Sequence, residues 1–332
     1  FFNFIRIGTM AIYKFYNIQM LPINTDVGNI GAEGYCRLFQ SVSELIDEIK
    51  REHHKLSSIA VSMRGDMFFA PFQVDVYEYP GIEGNKKLIY GSFLKFDDVN
   101  ELVDTNSGET EYRSKGNTSS KRYRLEFVFD PYNHMLAIHD TKGLPTRVPL
   151  IKSLKEILEY HAIKLFKDHN LEIEELTSAD SISEFLSSPK KGYKNYNGLI
   201  TFSNSDAFDE AIEKDILLTE QELKEKRVGK WEVNYKSFSK SVMNDLPRQA
   251  KIQMLLATRY GNAEVSYLDE NGDRQKYQMD NYPVREGFKD EQVKGNRDRA
   301  LEILGLINKA INKTKAKIKT VLSNKNFLDN KE

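Results

Sequence analysis

The chain has 332 residues, of which 40% are apolar and 29% charged, enough material for a packed core and the wrong balance for a disordered polymer. No apolar run approaches the roughly 20 residues needed to cross a bilayer, so membrane insertion is not expected. With 48 basic and 49 acidic side chains the net charge is −1, and no global field draws the chain onto nucleic acid or lipid.

Residues 1–9 are apolar but carry a single Arg6 and no cleavage site, and they read as an extension ahead of Met10 rather than a secretory signal. Residues 11–21 read as a strand rich in Tyr, Phe and Ile. Ser41 and Glu44 have the spacing of a capping box and predict a helix over about 41–55, with Val42, Leu45, Ile46 and Ile49 as its apolar stripe. Its one sulfhydryl neighbour, Cys36, is the chain's only cysteine, which excludes a disulfide framework and points to a cytoplasmic protein. Strands follow at 66–79 and 87–96, separated by the turn-rich 80–85. The polar stretch 104–120 reads as a loop or a segment ordered by a partner. Residues 123–129 and 134–140 then flank Asp130-Pro-Tyr-Asn133 as an antiparallel hairpin, and 149–169 form an amphipathic helix with His161 on its apolar face.

In the second half, 171–178 reads as a strand, 180–188 as a short helix, 189–198 as a polar loop and 198–204 as a strand. Residues 206–216 begin a charged helical region. A hairpin lies within 250–279, its arms joined through Glu270-Asn271-Gly272, where Asn-Gly favours a type I′ turn. A long helix over about 296–325 closes the pattern, its ladder running through Ala300, Leu304, Ile307, Ile311, Ile318 and Leu322. The expected fold is α+β: two mostly antiparallel sheets backed by helices, with an N-terminal domain over 10–148 and a C-terminal domain over 149–325.

No dinucleotide fingerprint, Walker loop, zinc-protease, nucleophile-elbow or EF-hand pattern occurs, and no cofactor or metal is expected. Asp130, Asp140 and Lys142, with Glu126 beside them, have the acid-x-Lys ending of metal-dependent nucleases, although a hairpin turn accounts for the same residues. Basic residues interleaved with aromatics offer a surface instead. Arg113, Lys115, Lys121, Arg122 and Arg124 cluster around Tyr112 and Tyr123; Lys190, Lys191 and Lys194 accompany Tyr193 and Tyr196; Lys309, Lys313 and Lys317 recur every fourth residue of the last helix. Such cations bind phosphates by charge, and exposed tyrosines can stack on bases. The ordinary reading of each run is a solvated face. The acidic segments 172–188 and 206–225 suit a protein–protein contact.

The run YRLEFVFDPYNHMLAIHD, followed by LIKSLKEILEYHAIKLF and then by the 171–189 segment, the 261–284 hairpin and the closing helix, resembles an uncharacterised bacterial domain family associated with phage-defence loci. In element order the second half is more remotely similar to the DNA-binding protein of the phage lambda Rex exclusion system and the DNA-binding component of the Kiwa antiphage system. The resemblance implies sequence-nonspecific DNA binding, often as a homodimer, within a phage-exclusion response. The expected function is a non-enzymatic component of an abortive-infection-like system; the alternatives are the metal-dependent nuclease and an adaptor whose acidic segments contact another defence-operon protein. The resemblance carries no catalytic residue across.

Overall fold

The computed structural model describes residues 10–24, 26–82, 84–98, 101–103, 107, 109–113, 119–201, 222–223, 225–226, 228–290 and 295–323. The class is α+β, as the patterning implies. An eight-stranded sheet has the strand order β14-β1-β8-β7-β4-β3-β2, with β9 paired to β1. Its strands are β1 (Met10–Pro22), β2 (Val61–Met63), β3 (Met67–Gly81), β4 (Gly84–Asp97), β7 (Arg122–Asp130), β8 (Met135–His139), β9 (His169–Glu175) and β14 (Arg285–Lys289). A four-stranded sheet, β11-β10-β12-β13, uses β10 (Gly192–Thr201), β11 (Lys230–Lys236), β12 (Gly261–Leu268) and β13 (Arg274–Gln278). A two-stranded ribbon, β5 (Glu101–Val103) with β6 (Thr110–Arg113), lies inside the stretch read as a loop. The helices are α1 (Gly31–Arg51), α2 (Arg147–Leu165), α3 (Ala179–Ser187), α4 (Arg248–Tyr260) and α5 (Asn296–Ser323). None of the described helices is long and apolar enough to cross a membrane. The charged helix expected at 206–216 lies outside the described residues, as do residues 1–9.

The chain divides into two compact units that differ from a cut between 148 and 149, because each is assembled from separated stretches. The first takes residues up to Tyr13, then Pro22–Leu171 and Gly287–Gly305; the second takes Lys14–Leu21, Glu172–Glu286 and the chain from Leu306 onward. Helix α2 therefore belongs with the first unit.

The first unit's core is an aromatic stack between α1 and the sheet. Phe69 stacks on Phe93 at 5.0 Å, Phe93 on Phe127 at 4.7 Å, and Phe39 of α1 lies 4.7 Å from Phe129. These rings repeat on alternate strand positions because one sheet face is buried. Helix α1 begins ten residues before the apparent capping box. Its Ser41 caps nothing: the hydroxyl bonds His161 Nδ1 of α2 at 2.8 Å, and Ser43 bonds the Val74 carbonyl at 3.0 Å. Both hydroxyls serve helix packing.

The second unit's core joins α3, α4, the four-stranded sheet and Ile318 of α5. Helix α4 occupies the start of the 250–279 region read as a hairpin, ahead of the strand arms. Every residue from Ala250 to Tyr260 is buried, so it has no polar face to betray a helical period. It runs straight into β12 at Gly261, where an added Cβ would sit 1.9 Å from the Leu199 carbonyl oxygen, so only glycine lets the strands approach. Strand β10 replaces most of the expected polar loop 189–198 because its two tyrosines, Tyr193 and Tyr196, point inward. The β12–β13 loop is longer than a two-residue I′ turn. Asp269 N–H bonds the Asp273 carbonyl at 3.0 Å, the Asp269 side chain accepts from Asn271 and Asp273 N–H, and only Gly272 has positive φ, at 93°. That is the three-residue alternative, with glycine at the left-handed position.

Candidate nucleic-acid interface

The structure sorts the candidate cations by what already holds them. In the second unit most are engaged. Lys190 caps α3: its Nζ donates to the Phe185 and Ser188 carbonyls and to Ser188 Oγ, and lies 4.4 Å from the Phe185 ring centre. Burial pulls this amine down to about 8, and the Asp245 charge offsets part of that shift. Lys194 donates to the Ser241 carbonyl. Tyr193 and Tyr196 are core side chains, 6% and 0% exposed, and cannot stack on bases; Tyr196 OH donates instead to Gln253 Oε1 at 2.8 Å.

The stripe on α5 is engaged too. Lys309 and Lys313 straddle Glu286 at 2.7 and 2.9 Å, and Lys317 pairs with Asp180 at 2.9 Å. Burial alone would raise the Glu286 carboxyl, and the two ammonium groups outweigh it and hold the acid below its ordinary value. Only Lys191 of the second-unit candidates makes no side-chain ion pair or hydrogen bond among the described residues.

In the first unit the acid-Lys constellation resolves into structural roles. Asp130 accepts the Tyr132 N–H at 2.9 Å and the Asn133 amide at 2.7 Å, closing the β7–β8 turn. Glu126 receives Arg299 Nε on both oxygens at 2.7 Å and the Tyr13 and Tyr90 hydroxyls at 2.6 Å. Arg299 also reaches Asp290. This clasp saturates Glu126, and Asp130 is spent on its turn, so neither is placed to share a metal with Asp140 and Lys142. Among the described residues no three His, Cys, Asp or Glu side chains come close enough to hold a metal ion.

What remains is one end of the first unit's sheet. The register pairs Phe96 with Arg122, Lys95 with Tyr123 and Leu94 with Arg124, and pairs Lys95 on its other side with Phe69. Residue Arg64 sits in the β2–β3 turn, whose Gly65 and Asp66 have positive φ of 71° and 54°. The side chains of Arg64, Lys121, Arg122 and Lys152 of α2 make no ion pair among the described residues; Lys95 has only the Tyr123 ring, 6.0 Å from its Nζ. Arg124 bonds Ser92 Oγ at 3.1 Å and Gln73 Oε1, with its guanidinium 5.8 Å over Phe72. Among the described residues three carboxylates lie at this end: Asp66 in the β2–β3 turn, Asp98, which is 4.0 Å from Lys55, and Asp97, which is wrapped by neighbouring backbone and hydroxyl groups. Its burial penalty is outweighed by the Ser120 and Ser119 hydroxyls and the Lys121 and Ser120 N–H groups, which hold it down to about 2. Arg113 lies in β6 opposite Glu101, and Lys115 is outside the described residues.

Arg64, Lys95 and Lys152 escape a reading of the sequence because each is an isolated cation there, and only the strand register and the placement of α2 gather them. Comparison with known proteins adds the lineage. No curated protein matches the chain. A family described as a domain of unknown function, DUF4747, matches residues 14–307, a span that runs from within β1 into α5 and takes in residues of both units. The chain therefore belongs to the DUF4747 family.

Proposed function

We propose that this protein is a non-enzymatic, sequence-nonspecific nucleic-acid-binding component of bacterial antiphage defence, acting through the basic end of its first unit. The reading is carried by one observation: Arg64, Lys95, Lys121, Arg122 and Lys152 gather at or beside that sheet end with no carboxylate partner among the described residues. Cations left unpaired by their own protein are the ones whose counterions a phosphate backbone can displace. Aromatic neighbours support it, since Phe68 and Phe96 stack at 5.7 Å at the same end of the register and Tyr123 flanks Lys95. The choice of DNA and the antiphage setting rest on the resemblance in element order alone.

The test is fluorescence anisotropy of labelled single- and double-stranded 20-mers against the full chain at a series of salt concentrations. Engagement of about four phosphates gives a log–log slope near −3. The double variant Lys121→Glu, Arg122→Glu should weaken binding at least about tenfold and flatten that slope by roughly two. A slope near zero, or binding untouched by the double variant, overturns the reading. The defence role is checked by phage plating on cells expressing either protein, where the double variant should lose protection.

A further inference from the structure

Between β2, the end of β4 and the first turns of α2 lies a groove of about 720 Å³, within the range of small-molecule sites. Its charged side chains are Arg64, Lys95 and Lys152, and no Asp or Glu lines it. Its floor is apolar, with Val61, Met63 and Val148 among the lining side chains. Helix α2 points its start into this space from Thr146, which makes no side-chain cap, and its first turn carries no acid, so the positive end of the helix dipole is left uncompensated. Ser153 also lines the groove; it is 2% exposed, and its hydroxyl makes no hydrogen bond among the described residues.

We infer that this groove is a binding site for a phosphate monoester on a nucleoside: Arg64, Lys95, Lys152 and the start of α2 take the phosphate, Ser153 donates to it or to the sugar, and the apolar floor carries the base or sugar. Three cations and a helix end suit a monoester dianion better than the single charge of an internal diester. The monoester can be a free mononucleotide or the 5′ end of a strand. The assignment deepens the nucleic-acid reading and rests on it for the nucleoside.

The test uses the full chain and two 3′-labelled single-stranded 12-mers of one sequence, one with a 5′-phosphate and one with a 5′-hydroxyl, with 5′-dAMP and deoxyadenosine as competitors. Binding at a strand end predicts at least about tenfold tighter binding of the phosphorylated strand; binding of the free nucleotide predicts displacement by dAMP and none by deoxyadenosine. Either result must be lost in Lys152→Glu and in Arg64→Glu, whose side chains are exposed and whose folding is checked by thermal melting. Equal affinity for the two strands together with no dAMP competition overturns the site, as does a preference that survives both variants. The Lys121→Glu, Arg122→Glu protein separates the two ideas. It should weaken both strands alike while keeping the preference for phosphate. If no strand binds but dAMP does so in a Lys152-dependent way, the nucleic-acid reading falls and the groove stands.

Discussion

His161 is 3% exposed and shares a hydrogen bond with the Ser41 hydroxyl across the α1–α2 contact. Burial, helped by the Lys164 charge, pulls the imidazole from its ordinary 6.5 down to about 4. Between those values the unfolded chain binds a proton that the folded chain refuses, so stability is complete above 6.5 and falls as the pH drops toward 4. We expect the folding equilibrium to weaken by up to about tenfold per pH unit in that window, with His161→Gln flattening the urea midpoint against pH. An unchanged pH profile in the variant would show that other groups carry the acid sensitivity. Single residues of this kind were legible: an imidazole on an apolar helix stripe and a lone thiol both read as buried, and Cys36 is buried, with burial pushing its thiol up to about 11. Lys190 was not legible, since its role depends on where α3 stops and which carbonyls that leaves exposed.

The α5 lysine stripe shows what elements add. Spacing by four placed Lys309 and Lys313 on one helical face, and that face meets Glu286 of β14 rather than solvent alone. Lys313→Glu would bring a second carboxylate against a Glu286 that is 7% exposed, and with Lys317→Glu it would also oppose Asp180. This double variant should lower the melting temperature by several degrees, corresponding to a loss of roughly 1–3 kcal/mol, while anisotropy of bound DNA changes little. A selective loss of DNA binding at full stability would return those lysines to the interface. Amphipathic elements (α2, α5, the β7–β8 hairpin) could be read from period and turn chemistry. Helix α4 and strand β10 could not, because complete burial erases the contrast between faces, and glycines at 192, 198 and 261 look like loop residues until a close neighbour explains them.

At the scale of the whole molecule the sequence pattern suggested a cut near residue 148, whereas the compact units are built from interleaved stretches. A fragment spanning residues 10–148 lacks α2 and also Arg299, the partner of Glu126. We expect it to show no cooperative thermal transition and to bind a hydrophobic dye. A sharp melt in that fragment would mean that the first unit does not need its distant stretches. Local pattern cannot reveal interleaving, which is a property of long-range pairing.

Strand β1 contributes Tyr13 and the residues before it to one unit and Lys14–Leu21 to the other, and each unit is completed only by residues after 286. A ribosome adding about 5–20 residues per second would therefore leave β1 waiting many seconds for the stretches after 286, its apolar side chains without their packing partners until those have emerged. The yield of folded protein in a cell should therefore depend on chaperone supply during that delay.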